Sequence, residues 1–205
     1  MIKLGLTGGV ATGKSAVAAM LAARKIPVLD TDELARRFTQ PGQPALQQIT
    51  ARFGPGMLDE AGALRRGELA ARVFANVDER RQLEEILHPL IRSAWLRQLV
   101  DWRDTGEPIG CVVIPLLYET RCETEFDAVI CTGCSAGTQQ ERLRQRGWSA
   151  EQIAGRLAAQ LPLRTKLERA DFVIWTEGSL ATTEAQLDEV LRKLDPAAVS
   201  YTHLT

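Results

Sequence analysis

Residues 2–30 read IKLGLTGGVATGKSAVAAMLAARKIPVLD, in which short apolar runs alternate with a glycine-rich turn and a helical period. Ile2 to Leu6 is a short apolar run of strand character, Gly8 to Gly13 a glycine-rich turn, Ser15 to Arg24 a helical period and Pro27 to Asp30 a second short strand. Strand, turn, helix and strand within about 30 residues make a βαβ unit, which favours parallel pairing. Within it, GGVATGKS at Gly8–Ser15 fits GxxxxGK[S/T], with Gly8, Gly13, Lys14 and Ser15 at the fixed positions. The chemistry requires those residue types. Backbone N–H groups must converge on the β- and γ-phosphates where a Cβ would block the turn, the lysine adds a point charge, and the serine offers a hydroxyl to Mg²⁺. Gly8, Gly9, Val10, Ala11, Thr12, Gly13, Lys14 and Ser15, running into the helix at Ala16, therefore read as a phosphate-binding P-loop.

The rest of the chain supplies strands and helices around this unit. From Thr31 to about Glu107 the pattern is mainly helical: Leu46, Ile49 and Phe53 share one face, and Leu83, Ile86, Leu87, Leu90 and Ile91 form a stripe across Pro89. A proline inside a helix costs about 3 kcal/mol, so Pro89 is expected to mark a kink or the first position of a new helix. Strand signals return at Cys111–Leu117, Asp127–Cys131 and Asp171–Trp175. Helices are expected over Thr138–Arg146, from a capping box at Ser149 and Gln152 to about Gln160, and over Leu180–Leu194. The predicted fold is α/β, a three-layer arrangement with a five-stranded parallel sheet and a helical insertion after the second strand.

Composition excludes several classes. With 205 residues, 45% hydrophobic, and 25 Lys+Arg against 26 Asp+Glu for a net charge of −1, the chain is an ordinary globular one. It lacks the overall basic field of a nucleic-acid binder, although local arginine clusters can still hold phosphate. The longest apolar run, Ala16 to Ala23, is far below the roughly 20 residues of a membrane helix. The opening MIKLGLTGG has no signal-peptide character, so no membrane association is expected and a cytoplasmic location is. Four cysteines make no disulfide scaffold, and the CxxC at Cys131 and Cys134 reads as packing and loop residues rather than a redox or zinc site. Only five of the basic residues are lysines, which singles out Lys14 among twenty arginines.

Among P-loop proteins, an ordinary GTPase would carry NKxD, and the chain's one asparagine, Asn76, is followed by Val77 and Asp78. The run Pro115–Glu119 also lacks the aspartate of a standard Walker B strand. A small-molecule kinase remains, which needs a carboxylate near the acceptor hydroxyl and positive charge over the transferring phosphoryl group. Asp30 and Asp32 end the second strand, where ligands collect in open α/β sheets; alternation would send both to one side, and the plain alternative is that Asp32 caps a helix beginning near Glu33. Arg142 and Arg146 lie four apart on a helix, followed by Arg156, Arg164 and Lys166; these make either a solvated face or a lid whose charges close over phosphate.

The chain resembles the dephospho-coenzyme A kinases over nearly its whole length, to about Leu194. The resemblance rests on GLTGGVATGKS, VLDTDELAR (Val28–Arg36), Pro41-Gly42, Phe53-Gly54, GALRR around Arg66, VFAN (Val73–Asn76), LHPLIR (Leu87–Arg92), PLLYE (Pro115–Glu119), Arg142 with Arg146, Gln160, and ADFVI (Ala170–Ile174). It implies transfer of the ATP γ-phosphoryl group to the 3′-hydroxyl of dephospho-CoA, the last step of coenzyme A synthesis. It makes Asp32 the general base or hydroxyl-orienting group, gives Lys14 the β/γ-phosphates and Ser15 the Mg²⁺, and puts Arg142 and Arg146 on phosphate. Arg66, His88, Leu116 and Glu119 become acceptor contacts, with a helix-terminal or core histidine as the alternative for His88. The implied layout is a nucleotide-binding core of 1–31, 108–137 and 167–195, an acceptor-binding domain of 32–107, a lid of 138–166 and a tail of 196–205 outside the functional chain. A kinase for another nucleotide or nucleoside, or an ATP-binding switch with no acceptor, are the competing readings.

Two departures from that family pattern matter. Ala11 stands where the family usually has glycine, tolerable at negative φ and strained otherwise. After the last strand, Thr176, Glu177 and Gly178 replace the usual asparagine two residues before a glycine, a position near the adenine.

Overall fold

The computed structural model describes residues 1–194, so the tail read as 196–205 lies outside the described residues. The elements run β1 (Ile2–Gly8), α1 (Lys14–Ala23), β2 (Val28–Asp30), α2 (Thr31–Phe38), α3 (Pro44–Phe53), α4 (Arg66–Ala75), α5 (Val77–Asp104), β3 (Ile109–Val113), β4 (Ala128–Gly133), α6 (Ala136–Gln145), α7 (Ala150–Ala158), α8 (Leu163–Arg169), β5 (Phe172–Trp175) and α9 (Leu180–Leu194). The strands form one five-stranded parallel sheet in the order β2-β3-β1-β4-β5. The P-loop strand β1 is therefore central, pairing Leu4 with Cys111 on one side and Ala128 on the other.

Alternation along the strands builds the core. Leu4, Leu6, Cys111, Val113, Ala128, Ile130 and Ile174 pack with Val17 and Leu21 of α1 and Leu187 and Val190 of α9. Every residue of β3 and β4 is buried, as strands covered on both faces must be. At the edge, Gln186 of α9 donates to the Trp175 carbonyl and accepts the Trp175 N–H, both at 2.9 Å, so a side chain stands in for a missing neighbour strand.

The chain divides into two compact units: Met1–Val28 with the chain from Trp102 onward, and Leu29–Asp101. The second unit is helical around Ile49, Phe53, Leu69 and Val73, with Leu83, Ile86 and Leu87 packed against them. The stretch 138–166 lies within the first unit.

Several sequence-based boundaries move for identifiable reasons. The third strand ends at Val113 rather than Leu117: the Ile114 N–H still reaches the Leu6 carbonyl at 2.9 Å, but Pro115 has no N–H to give and the chain turns away. Pro89 is not the first position of a new helix; it sits inside the 28-residue α5. The short helix α8 has no counterpart in the sequence reading, its seven residues being too few for a period to show. The capping box at Ser149 and Gln152 is present as expected. No helix among the described residues is long and apolar enough to cross a membrane.

Candidate active site

The loop between β1 and α1 is shaped by what cannot be placed in it. A Cβ on Gly8 would come within 2.4 Å of Thr132 Oγ1, and one on Gly13 would strike Thr176 at 2.8 Å, while both have positive φ, +148° and +93°. Gly13 is the N-cap of α1, left-handed and without a side-chain cap, and the first turn carries no acid. The positive end of α1 is thus left to serve an anion. Lys14 folds back over the loop, its Nζ donating to the Gly8 carbonyl at 3.1 Å and to the Gly9 carbonyl at 2.6 Å. Ser15 follows, exposed on the first turn beside Ala16.

Buried polar groups hold this shape from behind. Thr12 Oγ1 meets the Gly9 carbonyl and Thr132 Oγ1, each at 2.8 Å. Gln139 of α6 donates to the Val10 carbonyl at 2.7 Å. Arg142 reaches the Ala11 carbonyl at 3.3 Å, the Thr176 hydroxyl at 3.0 Å and the Thr176 carbonyl at 2.6 Å. The Thr176 hydroxyl in turn lies 2.9 Å from the Thr12 carbonyl. Thr176, met in the sequence as a departure from the asparagine pattern, is therefore a fastener of the loop. Glu177 accepts from Ser135 and Thr138 at the start of α6, and these hydrogen bonds hold its carboxyl down to about 2. The sequence reading missed Gln139, Thr132 and Thr176 as loop partners; the only signal was their polarity at positions that burial later claims.

Ala11 is left-handed at φ +59°, the strained case for a residue with a Cβ, at a cost of about 1–2 kcal/mol. Its methyl packs with Leu143 and Ile153, against which Val10, Trp148 and Leu157 also lie. Burial of about one methyl, roughly 0.8 kcal/mol, offsets part of that strain.

The other sequence-selected residues fall variously. Asp32 is not the cap of α2. The helix begins at Thr31, and Asp30 is its N-cap, accepting the Asp32 N–H at 2.8 Å, so Asp32 stands exposed in the first helical turn and strand alternation does not govern it. Arg142 is half-buried against the P-loop, while Arg146, four residues on, is the exposed C-cap of α6, which ends at Gln145. Lys166, grouped in the sequence with arginines of either a solvated face or a lid, is wholly buried and paired with Glu119 at 2.8 Å. Leu116 is half-buried in the turn after β3. In the helical unit Arg66 is exposed and donates to the Arg36 carbonyl at 3.0 Å; burial and Arg36 both lower its pKa. His88 is half-buried in α5, and burial lowers its pKa against a smaller opposing effect of Glu84. Cys131 and Cys134 are buried free thiols whose pKa values burial raises, Cys131 to about 11, as fits packing residues.

Comparisons with known proteins place the chain in a family. The family model described as dephospho-CoA kinase matches residues 2–182. A dephospho-CoA kinase of Bdellovibrio bacteriovorus is 40% identical over 192 residues, covering 94% of this chain and 96% of that protein. One of Anaeromyxobacter dehalogenans is 44% identical over 192 residues, covering 93% and 91%. The crystal structure of TT1252 from Thermus thermophilus superposes with a TM-score of 0.79 at 32% identity, covering 95% of this chain and 98% of that one. With its P-loop geometry and these matches along nearly its full length, the chain belongs to the dephospho-CoA kinase family.

Proposed function

We propose that this chain transfers the γ-phosphoryl group of ATP to the ribose 3′-hydroxyl of dephospho-CoA, releasing ADP and coenzyme A. The observation that carries the reading is the uncapped, left-handed N-terminus of α1 with Lys14 folded over the Gly8 and Gly9 carbonyls, in a chain of this family. Phosphoryl transfer asks mainly for positioning and charge stabilisation, and each group here suits one such task. The loop Gly8–Ser15 and Ala16 hold the β- and γ-phosphates through backbone N–H groups, and Lys14 leaves its carbonyl partners for phosphate oxygens. Ser15, an exposed hydroxyl at the first turn, fits a Mg²⁺ ligand. When bound, Mg²⁺ neutralises charge on the β- and γ-oxygens. Asp32, exposed in the first turn of α2, orients the attacking hydroxyl and accepts its proton. Arg142 braces the loop through the Ala11 carbonyl and brings positive charge beside the phosphates, and Arg146 reaches phosphate when the 138–166 segment closes as a lid. Arg66, His88 and Leu116 contact the acceptor, while Glu119 is held by Lys166 and the Leu161 N–H. The expected location is cytoplasmic.

The test is ADP release from Mg·ATP against a panel of acceptors: dephospho-CoA, other nucleotides and nucleosides, and water. Dephospho-CoA should be preferred by orders of magnitude in kcat/KM. Preference for another nucleotide would move the reading to a different kinase, and equal release with water would make the chain an ATP-binding switch.

A further inference from the structure

Outside the loop, the most unusual chemistry in the first unit is a buried ion pair at the end of β3. Lys166 of α8 is fully buried, its Nζ 2.7 Å from the Pro115 carbonyl and 2.8 Å from Glu119 Oε1. The same Glu119 oxygen accepts the Leu161 N–H at 2.8 Å, while its other oxygen, Oε2, is buried with no hydrogen-bond partner among the described residues. Such pairs are not maintained by stability alone, because well-packed apolar replacements are often as stable. An unpartnered buried carboxylate oxygen makes this one less favourable still.

Its location supplies a reason. The Pro115 carbonyl that takes Lys166 also faces the Thr7 hydroxyl at 3.4 Å, and Thr7 immediately precedes Gly8, whose carbonyl holds Lys14. In register with Thr7 on the neighbouring strand is Cys131, whose thiol pKa is raised mainly by burial, with smaller opposing effects of Lys166 and Lys14 and a small raising effect of Glu119. Lys166 is enclosed and Glu119 mostly so, and the Pro115 carbonyl, Thr7 and Gly8 link the pair to the P-loop lysine, in surroundings where charges act more strongly and salt screens less than in open water. Paired, the two charges cancel at the phosphate site. A bare Glu119 would repel a nucleotide's phosphates, and a bare Lys166 would attract them.

We propose that Lys166 and Glu119 are positioning residues that set the electrostatic potential at the P-loop, so that nucleotide affinity depends on their two charges in opposite directions. This rests on the functional reading only in that the loop binds nucleotide phosphate. The experiment is calorimetric titration of Mg·ATP into wild type, Glu119→Gln, Lys166→Met and the double variant, each well below its melting temperature. Lys166→Met should weaken the Kd about tenfold, Glu119→Gln should tighten it about threefold, and the double variant should return to within about twofold of wild type. A shift of both single variants in the same direction, as a damaged fold alone would give, overturns the proposal, and so does no shift in either. If Lys166→Met does not fold, tightening in Glu119→Gln reversed in the double variant still supports the proposal, and weakening in both contradicts it. Wild type that binds Mg·ATP without phosphorylating dephospho-CoA removes the acceptor reading and leaves this test standing; wild type that does not bind Mg·ATP overturns both.

Discussion

The loop Gly8–Lys14 and the helical unit Leu29–Asp101 are built on different kinds of constraint. Around the loop, the carbonyls of Gly8, Gly9, Val10, Ala11 and Thr12 each meet a named side chain, and the glycines at 8 and 13 stand where a Cβ would collide. In the helical unit the order comes from apolar packing around Ile49, Phe53, Leu69 and Val73, fastened by Arg72. That arginine pairs with Glu79 at 2.6 Å, donates to the Phe53 carbonyl at 3.0 Å and lies over the Phe53 ring at 5.5 Å. Phosphate binding fixes the backbone and therefore the residue types. The helical unit needs mainly volume and an apolar face, which many residues satisfy.

The sharpest way to break this contrast is inside the loop. Lys14→Met should leave the fold intact and lower kcat/KM by about 10³-fold or more, measured by steady-state ADP release, if Lys14 carries the phosphate charge as proposed. Asp32→Asn in the helical unit should lower kcat by about 10²- to 10⁴-fold with little change in the KM for ATP, the mark of a lost proton acceptor rather than a lost binding contact. A fall in affinity at unchanged kcat would put Asp32 in binding alone.

The two regions should also separate on acidification. Burial holds His88 below its ordinary 6.5, so between its folded and unfolded values the unfolded chain binds more protons; the stability from neutral His88 is full above about pH 6.5 and lost as pH falls through its folded value. Wild-type thermal midpoints should fall from pH 7 to 5, and His88→Gln should flatten that slope. Glu177 shifts the other way, held at about 2 against an ordinary 4.5. Its contribution is present above pH 4.5 and lost as pH drops toward 2, so the midpoint deficit of Glu177→Gln should be full at pH 7 and shrink below pH 4.5. The smallest effect is expected from Ala11→Gly. Relief of the left-handed strain opposes loss of the buried methyl and a more flexible unfolded chain, so denaturant titration should show a change within about 1 kcal/mol.

Legibility in the sequence follows the same division. The βαβ unit, the P-loop and the strand pattern were readable because glycine positions and apolar periodicity are local signals. Asp32 was readable as a candidate, but not its standing relative to the cap, which depended on the helix starting one residue after Asp30. The commitment of Arg142, Gln139 and Thr176 to the loop, and the burial of Lys166, were not readable. Each depends on contacts between residues far apart in the chain, and an amphipathic charged run looks the same on paper whether one of its members is exposed or enclosed.

The most direct measurement is the position of the phosphate on the product. After incubation of the protein with Mg·ATP and dephospho-CoA, phosphorus and proton NMR should show one new monoester on the ribose 3′-oxygen, formed in step with ADP. A phosphate on any other oxygen, or inorganic phosphate accumulating with dephospho-CoA unchanged, would contradict the assignment.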